Sequence, residues 1–449
     1  MTILETPPKQ SDRARDLAQA SDGIKAKSVG KSFALMQGLL YFGLSIVLLE
    51  AFFYFAQVGD SEHCMPDRKV GYKPFAGKRI TQRQEGFGSY KLNSFGMQND
   101  EITIAKPAGT YRIAVFGDSC VESIQVAREK NYVSQLADRL SRALGKPVQT
   151  LNFGVSNYSV AQDYLRYQTL AKQFKPDLVI QVYRVDEISK LLPTPCDSML
   201  FVKPVFFPNP DGTLKFDDTC VAGFFRSKAG KYMLQYDWLR QNSRIWEILV
   251  GLRHSFTTEF DRLKASKSIF NFAEPNPSAP PLQAISSDQT RTNYTNCYWY
   301  MMDAQLKAFA RECKADGARF MFLRTPTVSL GDHKLVKNYA ETALLKTTAA
   351  SIEAPVLDLD QALRSEGDTP DDGTKFSSKG HFTVRLHTWV ADKLGAFIKE
   401  QDLLPSKSAA INASRSVVRC CSAIRQATDL ASLSSVHFSS VQPLSFVGY

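Results

Sequence analysis

A short run of β-formers, Tyr111-Arg-Ile-Ala-Val-Phe116, ends abruptly in Gly117-Asp118-Ser119. An amphipathic helical pattern follows through Tyr132, Leu136, Leu140 and Leu144. A serine placed where a parallel strand turns into a helix projects from the carboxyl edge of a sheet, where open α/β sheets hold their ligands. The N–H groups that open the helix can stabilise an anion there. The same residues also fit a plainer description, a polar turn in which Asp118 caps a helix. The choice between the two depends on what else the chain supplies.

A serine hydroxyl becomes a nucleophile at neutral pH only beside a base. The chain has six histidines. His63 adjoins an apolar run and His437 lies in a serine-rich tail, while His254 and His333 suit solvated surface positions. That leaves His381 and His387, in Lys379-Gly-His-Phe-Thr-Val-Arg-Leu-His387. His381 falls in a loop before a helix that Thr383 can cap. That helix is expected to bury Val384, Trp389, Val390 and Leu394, and to carry His387 in its first turns. Ser119 paired with one of these two histidines would perform acyl-ester chemistry.

The elements that must position this pair alternate. Strand-like runs cover 111–116, 148–153, 178–183, 319–323 and 355–359, and helical patterns cover 127–145, 158–174, 333–349 and 384–400. Such alternation implies a parallel sheet covered on both faces. The rhythm breaks over about 187–300, which reads as an insertion. It contains a hairpin around Asn209-Pro-Asp-Gly212, an amphipathic helix over 236–253 and a Pro-rich linker.

Residues 32–58 carry no charge apart from Glu50, and Phe33 to Phe55 is long enough to cross a bilayer. Lys25, Lys27 and Lys31 precede this run, and Asp60 and Glu62 follow it. The positive-inside bias therefore puts 1–31 in the cytoplasm and everything beyond the span outside, with Glu50 reaching toward the outer interface. Residues 59–108 are expected to form a stalk and lead-in, 109–404 the main domain, and 405–449 a disordered tail.

The net charge of +10 comes without a Lys/Arg cluster interleaved with aromatics, so nucleic acid is not an expected partner. The eight cysteines show no zinc-type spacing, and no His/Asp/Glu run has ligand spacing; neither a metal nor a cofactor is expected. Cys196 and Cys220 flank the hairpin and are the pair to suspect of bridging in an exported domain.

Together these blocks resemble the SGNH hydrolase superfamily, also called GDSL-type esterases and acyltransferases. Gly117-Asp118-Ser119 matches its nucleophile block. Leu151-Asn-Phe-Gly-Val-Ser-Asn-Tyr-Ser-Val-Ala-Gln162 resembles the second block, Pro176-Asp-Leu-Val-Ile-Gln-Val-Tyr183 the strand into the third, and Gly380-His-Phe-Thr383 the last. The stretch from Asn93-Ser-Phe-Gly-Met97 through Glu101 is similar to the lead-in of members associated with bacterial surface polysaccharides. The resemblance implies an α/β fold: a three-layer, doubly wound, flavodoxin-like parallel sheet, here with an α+β insertion and one preceding transmembrane helix. It also implies that Ser119 is the nucleophile, supported by Gly117 and Asp118, and that His381 is the general base. The oxyanion would be held by the backbone N–H groups of Ser119 and Asn157.

Three positions depart from the family pattern. Lys379 or Ser378 stands where an orienting Asp precedes the histidine, leaving Asp371 or Asp372 to reach in. Asn157 replaces a glycine, and Val185 replaces an oxyanion-donating Asn. A shifted register would put Lys375 in place of the base, but it starts the closing helix too early. Two functions remain open. One is a membrane-anchored extracytoplasmic esterase or acyltransferase acting on an acylated cell-surface polysaccharide. The other is an inactive scaffold with the same fold.

Overall fold

The structure, a computed structural model, describes residues 10–58, 61–184, 187–191, 199, 202–253, 288–326, 328, 335, 339–366, 374–378 and 380–404. At 10–32, 288–297 and 339 the backbone alone is described. Two units divide the chain, Met1–Asp392 and Lys393–Tyr449. The described part of the second is the end of the last helix and the residues up to Leu404.

The chain opens with helix α1 (Gln10–Phe55). Its Phe33–Phe55 portion has a mean hydropathy of 1.8 and is long and apolar enough to cross a membrane. Glu50 binds within the protein: its carboxylate accepts from Ser243 Oγ (3.0 Å), Ile245 N (3.2 Å) and Arg244 N. It thereby caps the first turn of a helix over residues 244–253, stabilised by the positive end of that helix.

The segment expected to be a stalk is instead built into the domain. It forms two antiparallel hairpins, β1 (Cys64–Asp67) with β2 (Gly71–Pro74), and β3 (Arg79–Gln82) with β4 (Gly88–Lys91). Tyr72, Phe75 and Ile80 are fully buried. Farther on, Asn99 donates to Thr150 O at 2.8 Å and accepts from Asn152 N at 2.7 Å, stitching the lead-in to the sheet. Composition hid this because half of each hairpin is polar.

Five parallel strands make the main sheet: β5 (Tyr111–Phe116), β6 (Val148–Asn152), β7 (Leu178–Arg184), β10 (Arg319–Thr325) and β11 (Val356–Asp358). Their spatial order is β11-β10-β7-β5-β6, the flavodoxin-like 2-1-3-4-5 arrangement. All of β5 is buried, as on a parallel strand covered on both faces, and its one charged residue, Arg112, donates to the Phe174 and Thr103 carbonyls (2.8 and 2.7 Å). Crossovers carry α3 (Tyr132–Leu144), α4 (Val160–Thr169), α9 (Asp288–Ala315) and α10 (Tyr339–Ser351), and α12 (Val384–Glu400) closes the fold. Asn131 caps α3 by accepting from Val133 N, and Gly145 ends it at φ 61°, a left-handed turn that glycine adopts without strain. Phe309 of α9 packs against Tyr164 and Tyr167 of α4 and against Phe116 of the sheet (ring centroids 5.3–5.5 Å).

Within the insertion, β8 (Val205–Pro208) and β9 (Leu214–Asp217) form the expected hairpin, with Gly212 at φ 79° in its turn. Three short helices follow, α5 (Thr219–Arg226), α6 (Lys228–Gln235) and α7 (Asp237–Asn242), and the Glu50-capped helix is α8. Cys220 is disulfide-bonded. Its suspected partner Cys196 lies outside the described residues, as do His254, His333, Val185, Asp371, Asp372, Lys379 and residues 405–449.

Candidate active site

Ser119 opens a four-residue helix, α2 (Ser119–Glu122), at the carboxyl end of β5. Its neighbours β6 and β7 lie on opposite sides of β5, so the serine sits at the switch point of the sheet. Gly117, at φ 150°, makes the turn possible: a Cβ there would lie 2.8 Å from Val121 Cγ2 and 3.0 Å from Val182 Cβ. Asp118 caps α2, accepting from Cys120 N at 3.0 Å. The buried Asp118 carboxylate is paired with Lys190 Nζ (3.0 Å) and lies 3.8 Å from Arg184 Nη1. Burial opposes its ionisation, but the Lys190 and Arg184 charges win and hold it well below the usual carboxylate range. Lys190 also donates to Tyr158 O (2.9 Å) and to Glu187, so one ammonium ties the Ser119 turn to the Tyr158 segment and to its own 187–191 turn.

His381 lies in the loop before α12. Phe376 bridges to Phe382, Ser377 N donates to His381 O (2.8 Å), and Gly380 turns the chain at φ 80°. Thr383 Oγ1 donates to Lys375 O at 3.0 Å. The loop thus delivers His381 Nε2 to 2.8 Å from Ser119 Oγ. His381, rather than Lys375, meets the serine.

On the other side of the ring, Nδ1 lies 2.7 Å from Glu85 Oε2. The Glu85 side chain is only 7% exposed. Ser377 Oγ donates to the same carboxylate oxygen at 2.5 Å and accepts from His381 N at 3.1 Å. With Nδ1–H donating to Glu85, Nε2 turns its lone pair toward the Ser119 hydroxyl. The carboxylate beside Nδ1 is that of Glu85, from the β3–β4 turn, a residue the sequence reading did not single out; Asp371 and Asp372, anticipated for this place, lie outside the described residues. Two glycines let that turn come close: a Cβ on Gly88 would lie 2.2 Å from Ile124 O, and one on Gly86 would lie 2.7 Å from Gln125 O. Both carbonyls belong to the loop just after α2.

The second block supplies the remaining wall. Asn157 has φ 62°, the left-handed geometry that asparagine tolerates. Gly154 passes so close to α2 that a Cβ would lie 2.3 Å from Glu122 N and 2.6 Å from Val121 Cβ. Gly154→Ala is accordingly expected to destabilise the protein by about 1–3 kcal/mol through overpacking. Thermal unfolding checks this, and an unchanged melting temperature would refute the close contact.

His387 is fully buried in α12, as are Leu386 and Val390, whereas Val384 is exposed and Trp389 only half-buried, contrary to the expected face. The Trp389 indole N–H donates to Glu366 at 2.9 Å, a polar use that the 3.6-residue pattern does not disclose. His387 Nδ1 accepts from Tyr132 N at 3.3 Å, and its ring stacks on Tyr132. Burial, and secondarily the adjacent His381, pushes its pKa down to about 3. Below the ordinary histidine value the unfolded chain takes up a proton that the folded chain refuses. Its contribution is thus complete above about pH 6.5 and lost as the pH falls toward 3, at about 1.4 kcal/mol per pH unit. Urea midpoints measured across that window should fall less steeply in His387→Phe, which keeps the ring stack.

A hydroxyl bonded to an imidazole that is backed by a buried carboxylate can transfer an acyl group through the serine oxygen. No family model matches the chain, and no curated protein matches it. Among solved structures, it is similar to Axe2, an acetylxylan esterase from Geobacillus stearothermophilus, at 12% identity and a TM-score of 0.34, over 67% of this chain and 96% of that one. It is also similar to LAE5, an alpha/beta hydrolase enzyme from the metagenome of Lake Arreo, Spain, at 10% identity and a TM-score of 0.34, over 68% and 99%. A third similar structure is TesA, at 14% identity and a TM-score of 0.33, over 65% and 99%.

Proposed function

We propose that this protein is an SGNH-type serine esterase or acyltransferase, anchored by Phe33–Phe55, with its domain outside the cytoplasm. The observation that carries the proposal is the Ser119–His381–Glu85 relay, with contacts of 2.8 and 2.7 Å. Ser119 Oγ attacks an ester carbonyl as His381 Nε2 takes its proton, and Glu85 stabilises the imidazolium. The N–H groups of Ser119 and Asn157 hold the oxyanion, with the Arg184 charge nearby. His381 then returns the proton to the leaving alcohol oxygen. Water, or a sugar hydroxyl, releases the acyl group from Ser119 in the second half-reaction. An acylated cell-surface polysaccharide is the substrate class suggested by the lead-in around Asn93–Met97 and by the outward face of the domain. The Ser119–His381 contact favours this enzyme over a scaffold, which has no use for an aligned base. Full-length protein in detergent should release acetate from a chromogenic acetate ester and from an acetylated glycan. Failure with both would overturn the proposal.

A further inference from the structure

One cluster of donor side chains takes no part in the relay. Glu122 ends α2, the helix that Ser119 begins, and its Oε1 lies 3.2 Å from His63 Nε2. The Cys64 thiol completes a group whose donor atoms all lie within 4.8 Å of one another. Cys64 and Glu122 are buried, and Cys64 is not in a disulfide. His63 Nε2 is also buried, and its 3.2 Å contact with Glu122 Oε1 lies off the line of a well-aligned hydrogen bond. A plain His–Glu pair would align the ring nitrogen with the carboxylate. Here a nitrogen, a sulfur and an oxygen share a space the size of one coordination sphere.

The dimensions suit a zinc-class ion. With metal–ligand bonds of about 2.0–2.3 Å, tetrahedral donors stand roughly 3.3–3.7 Å apart. The 3.2 Å nitrogen–oxygen separation is already there, and 4.8 Å as the outer bound needs only side-chain adjustment. The surroundings hold the donors in place. Glu122 Oε2 accepts from Ser156 N (2.7 Å) and from Ser156 Oγ, which turns Oε1 toward His63. Arg240 Nη2 donates to Cys64 O (2.9 Å), and Phe75 N donates to His63 O (2.9 Å). Such outer contacts are what orients metal ligands.

We infer that His63, Cys64 and Glu122 bind one divalent zinc-class ion, with a fourth position left to water. Binding displaces the Cys64 thiol proton to solvent and forms the metal–sulfur bond. The ion ties the β1 strand to the helix that presents Ser119, so it acts as a structural clamp on the nucleophile rather than a participant in the reaction.

The full chain in detergent, stripped with a chelator and titrated with Co2+, tests this directly. Expected are one bound ion per chain and a thiolate-to-cobalt charge-transfer band. Both should persist in Cys313→Ser, which removes another buried thiol. Cys64→Ser should lose the band, and His63→Gln should bind at least about tenfold more weakly. Circular dichroism confirms that each variant is folded, and Zn2+ should raise the melting temperature of the stripped wild type. The inference fails if the wild type binds no stoichiometric ion, or if Cys64→Ser keeps the same band. Either result leaves the esterase reading standing, because that reading is tested by turnover alone.

Discussion

Ser119→Ala is expected to lower kcat for ester turnover by about four to six orders of magnitude, with KM and melting temperature near those of the wild type. The argument is local. Ser119 Oγ is bonded to His381 Nε2 at 2.8 Å, and alanine removes the atom on which the acyl group must reside. The helix that Ser119 opens survives the change, because its cap is Asp118, not the serine hydroxyl. Gly117 and Gly154, whose lack of a side chain sets the shape of the turn, are untouched. Steady-state kinetics on both variants, with calorimetry to confirm folding, decide the matter. A variant retaining even a tenth of wild-type kcat would mean that turnover does not pass through Ser119, and the relay would lose its meaning.

The sheet was largely legible because its strands are short apolar runs with helical periods between them. Such a pattern has one economical solution, and β5 occupies the span its residues imply. Ser119 and His381, which the fold brings to 2.8 Å, were legible as residue types at element boundaries. Glu85 was not. It lies in a polar turn of a hairpin whose strands are four residues each, too short for alternation to stand out. Nothing in spacing links it to a histidine 296 positions away. Its only local sign is the pair Gly86 and Gly88, which reads as a turn and gives no hint of what the turn approaches. The His63–Cys64–Glu122 cluster was hidden for the same reason: ligand spacing is sought along the chain, whereas here a strand and a helix end supply the donors. Lys190 likewise was not singled out by spacing, and only the fold buries it against Asp118. Groups that meet only through long-range packing leave no periodic trace.

Glu85→Gln separates the two accounts of the orienting carboxylate. In the wild type, a buried negative charge faces the Nδ1 side of the imidazole, where positive charge develops when Nε2 takes the serine proton. Two unit charges about 4 Å apart at an effective dielectric of about 20 interact by about 4 kcal/mol, or roughly three orders of magnitude in rate. A neutral amide forfeits that term. If its NH2 faces Nδ1, it also forces the proton onto Nε2, where the ring can no longer act as a base. The expected loss in kcat is therefore about 10³–10⁴, with KM within a few-fold, since Glu85 stands behind the ring, away from the Ser119 side. Asp371→Asn and Asp372→Asn are expected to stay within a few-fold of wild type. If instead either aspartate variant collapsed kcat while folded Glu85→Gln kept most of it, the imidazole would be oriented from its own loop, and the β3–β4 turn would be only a wall of the site.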